Sequence, residues 1–135
     1  MLFDTLDLST ASRAEMVNLT ARLADWVNSH GAREGILTVY CPHTTGGITV
    51  NEGYDPDVCT DMLQTLERLA PRDPRYRHAE GNSDSHVKAT LVGSSARVFV
   101  REGRLGLGRW QAVYFCEFDG PRSRQVELAF EGEAR

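Results

Sequence analysis

The last third of the chain leaves little topological freedom. Three runs rich in β-branched and aromatic residues follow one another: "RVFVR" at Arg97–Arg101, "WQAVYFCEF" at Trp110–Phe118 and "RQVELAF" at Arg124–Phe130. Glu102-Gly103 and Asp119-Gly120 punctuate them. Such runs read as strands, and an Asp-Gly step between two of them reads as a hairpin turn. Parallel neighbours need a crossover of a dozen or more residues, and these connections are shorter. The closing strands are therefore expected to pair antiparallel.

Upstream, Phe3–Leu8 reads as a strand. Ser12 and Glu15 have the spacing of a capping box, and Met16, Leu19, Leu23, Trp26 and Val27 follow at helical intervals up to Gly31. Gly35–Cys41 and Gly46–Asn51 read as strands. Asp55-Pro56 has the form of an N-cap followed by proline at the first helical position. Val58, Met62, Leu66 and Leu69 give that helix an apolar stripe, and Pro71 ends it. Residues 72–84 are polar and read as a long surface loop, and Ser85–Val92 reads as a short helix closed by Gly93. The expected order is β-α-β-β-α-loop-α-β-β-β. This is an α+β fold, with a largely antiparallel sheet, two main helices packed against it, and a single compact domain over residues 1–135.

Charge and composition narrow the function. A net charge of −4 on 135 residues gives no bulk attraction for nucleic acid, so no nucleic-acid partner is expected. No apolar run approaches the ~20 residues of a membrane span, and the first ten residues carry no basic segment, so no membrane association or signal peptide is expected. The three cysteines, Cys41, Cys59 and Cys116, are far apart and form no CxxC pair. They fit a reduced, cytoplasmic setting with thiols buried as small apolar groups.

Four clusters carry polar chemistry. His78 and His86 lie eight residues apart, among Glu80, Asn82 and Asp84. Imidazole is a common metal ligand near neutral pH, and His43 in "CPHTTGG" offers a third nitrogen, as in a three-ligand catalytic zinc site. The alternative is a set of solvated loop histidines. In "PHTTGG" two hydroxyls and two glycines occupy a tight connection, which forms either an anion-binding turn or a plain one. In "DGPRSRQ", Arg122 and Arg124 alternate at a strand start, so both are expected on one face as a phosphate fork. The alternatives are a solvated edge strand, whose basic residues block aggregation, and structural ion pairing with Glu117 or Glu127. In "NEGYDP", Glu52 is a candidate general base or metal ligand, or an ordinary acid preceding a helix.

Taken together, "CPHTTGGITVNEGYDPDV" (41–58), "HAEGNSDSHVKATLVGSS" (78–95) and "GRLGLGRWQAVYFCEFDGPRSRQV" (103–126) resemble the YjbQ-like family, described as secondary thiamine-phosphate synthases. Arg109 before Trp110 departs from the family pattern. The resemblance implies a homotrimer and a weak activity that joins hydroxymethylpyrimidine diphosphate to thiazole phosphate and releases pyrophosphate. It maps the polar site onto His43, Thr44, Thr45, Asn51, Glu52, His78, Asn82, His86, Trp110, Gln111, Arg122 and Arg124. In the resulting expectation His43 and Glu52 are catalytic. His43, His78 and His86 hold a divalent metal, zinc or magnesium, and the remaining residues bind a small phosphorylated substrate. Trp110 either stacks on a flat ring or anchors the core. The rival function is a non-catalytic module that binds a phosphorylated metabolite or a metal.

Overall fold

In the computed structural model, which describes residues 1–135, the strands divide into two antiparallel sheets. One has the order β1-β8-β3-β5-β6, built from β1 (Leu2–Ser9), β8 (Ser123–Ala134), β3 (Ala32–Tyr40), β5 (Ser95–Arg101) and β6 (Arg104–Leu105). The other has the order β2-β7-β4, built from β2 (Glu15–Asn18), β7 (Gln111–Glu117) and β4 (Gly46–Glu52). The helices are α1 (Thr20–Ser29), α2 (Pro56–Leu69) and α3 (Ser83–Val92). The α+β class stands as expected and every pairing is antiparallel, but the three closing strands do not pair with one another: β5 pairs with β3 and β6, β7 with β2 and β4, and β8 with β1 and β3. No helix is long and apolar enough to cross a membrane.

Side-chain alternation explains the division. β8 turns Val126, Leu128 and Phe130 inward while Gln125 and Glu127 face out, which suits a sheet with one wet face. β7 is apolar on both faces. Val113 and Phe115 join the larger core with Leu37, Val39, Val98 and α1's Leu23, Trp26 and Val27. Ala112, Tyr114 and Cys116 face a second cluster with Ala89 and Phe118, against which Leu63 and Leu66 of α2 pack.

This corrects the hairpin expected at Asp119-Gly120. β7 and β8 do not pair; the connection carries the chain from one sheet to the other. A strand covered on both faces belongs at the centre of a layered structure, so β7 pairs with β2 and β4 instead. Gly120 is needed because a Cβ there would lie 2.3 Å from the Ser12 carbonyl oxygen.

The first helix also starts later than its periodicity predicts. Glu15–Asn18 forms β2 against Tyr114–Glu117 of β7. The Glu15 carboxylate does accept from the N–H groups of Ala11 and Ser12, both at 2.6 Å, but the turn it closes leads into a strand. A local box is worth ~1 kcal/mol, less than four residues of ladder on an open strand edge. The helix N-terminus is served instead by Asn18, whose Oδ1 accepts from the Thr20 N–H at 3.0 Å. Asp55 caps α2 as expected, accepting from the Asp57 N–H at 2.9 Å.

Candidate functional site

Three connections converge at one end of the two sheets. The β3–β4 link brings His43, Thr44 and Thr45. The loop before α3 and that helix's first turn bring His78, Asn82 and His86. The β7–β8 link brings Arg122, with Arg124 behind it on β8. All eight line a depression of about 400 Å³ that has no hydrophobic residue in its wall.

The remaining expected residues are elsewhere. Asn51, Glu52, Trp110 and Gln111 share a separate hollow of about 260 Å³. There Glu52 accepts from the N–H groups of Tyr54 (2.9 Å) and Asp55 (3.4 Å), closing the turn into α2. Trp110 is 49% exposed and meets Tyr54 edge-on at 5.1 Å, so it does not anchor the core. One expected site is thus two places within the chain, because β4 carries its two ends to opposite ends of its sheet.

The arginines diverge. β8 begins at Ser123, so Arg122 precedes the strand and the two do not alternate along one face. Arg122 is half-exposed and tied to Asp119, donating from Nε to its carbonyl (2.8 Å) and from Nη2 to its carboxylate (3.0 Å). Arg124 is 3% exposed and lies against the fully buried Glu117. Its Nε donates to Glu117 Oε1 at 2.8 Å, and its Nη2 donates to Glu117 Oε2 and to Thr45 Oγ1 at 2.8 Å. Glu117 also accepts from the Thr10 hydroxyl (2.7 Å) and from the N–H groups of Phe118 and Asp119, both at 3.0 Å. Burial pushes the Glu117 carboxyl up, but Arg124, the Asp119 N–H and Thr10 outweigh it and hold the group below its ordinary range. Arg124 Nη1 makes no bond to the protein and is not sealed off. A guanidinium locked on two nitrogens therefore keeps its third unbonded in a residue that lines this depression and an adjoining one.

His43 finishes a ladder. β3 ends at Tyr40, and where its backbone stops pairing with β8 the His43 ring takes over: its Nε2 accepts from the Gln125 N–H at 2.9 Å. This bond fixes the tautomer, with the proton on Nδ1. Burial first, then Arg124, lowers the His43 pKa, so the ring is neutral at neutral pH.

The glycines after Thr45 do not form an anion-binding turn. Neither Gly46 nor Gly47 has a positive φ; both are buried in β4. A Cβ on Gly46 would lie 2.6 Å from Phe115 Cζ, and one on Gly47 would lie 2.6 Å from the Gly93 oxygen. They are there for close packing.

α3 is bolted down at its N-terminus. Asp84 is fully buried and receives Arg13 and Lys88, each at 3.2 Å, and Lys88 also reaches Glu67. Ser85 donates to the Phe118 carbonyl, and Asn82 Nδ2 donates to Asp119 Oδ2 at 2.7 Å. This holds His86 beside His78, with the rings edge to face and 5.5 Å between centroids. A three-histidine zinc centre does not fit this placement. No three His, Cys, Asp or Glu side chains converge, and the Nε2 of His43 is spent on Gln125.

In the sequence Asp119 reads only as a turn former, and Thr10 and Asp7 carry no local signal of a role. Their roles depend on contacts more than a hundred residues away for Thr10 and Asp7, and across two elements for Asp119.

A family profile described as UPF0047 protein YjbQ-like matches residues 4–133. The UPF0047 protein YugU of Bacillus subtilis is 44% identical over 97% of this chain and all of its own length. The UPF0047 protein MJ1081 of Methanocaldococcus jannaschii is 40% identical over 98% of this chain and 96% of its own. Among solved structures, an uncharacterized conserved protein from Clostridium acetobutylicum superposes with a TM-score of 0.92 at 42% identity, covering 95% of this chain and 99% of that one. The hypothetical protein APE1520 from Aeropyrum pernix gives 0.93 at 33% identity, covering 98% and 100%.

Proposed function

This chain belongs to the UPF0047 YjbQ-like family, and on that premise we propose that it is an enzyme acting on a phosphorylated small molecule in the histidine–arginine depression. The observation that carries the reading is Arg124. A buried guanidinium fixed by Glu117 and Thr45, with Nη1 left over, is a preorganised donor for a phosphate oxygen. Arg122 stands beside it at the rim, and the hydroxyl of Thr45, which already accepts from Arg124, is free to donate. His78 and His86 sit across the depression, where imidazoles can give or take a proton as a phosphoryl or diphosphoryl group leaves. The finer reading is the thiamine-phosphate synthase reaction, in which a ring nitrogen displaces pyrophosphate. That chemistry asks the protein for charge and placement rather than for a nucleophile. Glu52 has no part in it within one subunit.

The same reading takes the protein to be cytoplasmic and a homotrimer. α2 has no buried residue: Val58, Met62 and Leu66 are half-covered and Leu69 is 68% exposed, a stripe that an assembly would cover.

The test is direct. Purified protein is titrated calorimetrically with phosphate esters, then assayed for pyrophosphate released from hydroxymethylpyrimidine diphosphate in the presence of thiazole phosphate, with and without added zinc or magnesium. Arg122→Ala is expected to weaken ester binding by ~1.5–3 kcal/mol, the usual worth of a hydrogen bond to a charged group. Binding without turnover would make the protein a phosphometabolite-binding module. No binding at all would end the phosphate reading.

A further inference from the structure

A second depression, of about 580 Å³, lies on the far side of His43 and Arg124. Those two residues line both depressions, so the two meet along a common seam. The new wall comes from the paired strands β1 and β8, where Asp7 stands opposite Gln125 and Ser9 opposite Ser123. All four are exposed, whereas Arg124 between them is buried.

The two sides differ in charge. Arg124 is paired with Glu117 from whichever side it is approached. On the histidine side each carboxylate also has a partner, Asp119 with Arg122 and Glu80 beside His78. On the strand side His43 is neutral. The remaining charge is the Asp7 carboxylate, which forms no ion pair and accepts only from Gln125 Nε2, at a long 3.3 Å. The nearby Arg22 bonds the Asp7 backbone carbonyl at 2.7 Å, not its carboxylate. Two serine hydroxyls and a carboxamide complete a lining with one hydrophobic residue. A carboxylate without a cation partner, in a concave polar wall, favours a ligand that brings positive charge and N–H donors.

We propose that this second depression is a subsite for a small amine, which binds Asp7 through its nitrogen beside the anion held on the histidine side. The inference rests on the proposed function for its partner ligand, but the amine site has its own residues. His43 with Arg124 forms the boundary between the two depressions.

The experiment is a pair of amide NMR titrations of isotopically labelled protein at matched ionic strength, one with ethanolamine hydrochloride and one with inorganic phosphate. Ethanolamine is expected to move the amides of Ser9, Ser123 and Gln125, and phosphate those of Thr44, Thr45 and His86. Asp7→Asn, isosteric and on an exposed strand position, is expected to weaken ethanolamine binding about tenfold or more while phosphate affinity stays within about twofold. Ethanolamine that leaves the Asp7 face unmoved in the unaltered protein overturns the proposal, as does binding that survives Asp7→Asn. If phosphate fails to bind while ethanolamine binds at Asp7, the phosphate reading falls and the amine site stands.

Discussion

Replacing Glu117 by glutamine keeps the shape of the side chain and removes its charge. In the native protein that carboxylate is fully buried and takes five hydrogen bonds, two of them from Arg124, itself 3% exposed. After Glu117→Gln the guanidinium stays buried without a counter-charge. The new amide NH2 also faces donors wherever it points, because both carboxylate oxygens accept in the native state. Removing one partner of a buried pair costs ~3–5 kcal/mol. For a chain of this length that is roughly 10–20 °C of melting temperature. Urea unfolding is the cleaner assay, since a fall in midpoint at constant slope reports stability alone. The double variant Glu117→Gln with Arg124→Met removes both charges and is expected to be more stable than Glu117→Gln alone, with a coupling energy of ~2 kcal/mol or more. A single-variant loss below ~1 kcal/mol, or strict additivity in the cycle, would refute the claim that these charges depend on each other. The double variant should also lose phosphate binding, because Arg124 is the proposed phosphate donor.

Three further outcomes are expected. Gly47→Ala places a Cβ 2.6 Å from the Gly93 oxygen and 2.9 Å from Val92 Cγ1, so it should cost ~1–3 kcal/mol in denaturant titration. Acid should destabilise the protein in two stages, read by melting temperature against pH. The His43 pKa lies below 6.5 in the fold, so below about 6.5 the unfolded chain binds more protons and stability declines, and His43→Gln should flatten that limb. Glu117 and Asp84 are held below their ordinary 4.5 and 3.8, so their stabilisation persists above those values and is lost as pH falls through the lowered ones. Light scattering should give a trimer, and Leu69→Asp at the exposed end of the α2 stripe should shift it toward monomer; a monomer in the unaltered protein would refute the assembly.

Much of this protein is local and so was legible in its sequence. Alternation along Arg124–Phe130, the Asp55-Pro56 start of α2 and the Gly93 stop of α3 are set by side chains within a few residues, and the chain obeys them. The polar clusters were legible too, because histidines and arginines at a loop are conspicuous as residue types. What those clusters do was decided by packing. The Ser12–Glu15 box forms as its spacing demands, yet β7's open edge turns the next four residues into a strand. Asp119-Gly120 has hairpin chemistry, yet a β7 that is apolar on both faces must be covered twice, which sends β8 to the other sheet. That crossing separates Arg122 from Arg124 and buries the latter on Glu117, while the buried Asp84 and Ser85 fix the start of α3 and so bring His78 and His86 into the same depression, with Glu52 and Trp110 in another. Sequence fixes which groups are available, because periodicity and capping act over one or two turns. Only the tertiary structure decides which charges are already paired, because burial and ion pairing join residues far apart in the chain.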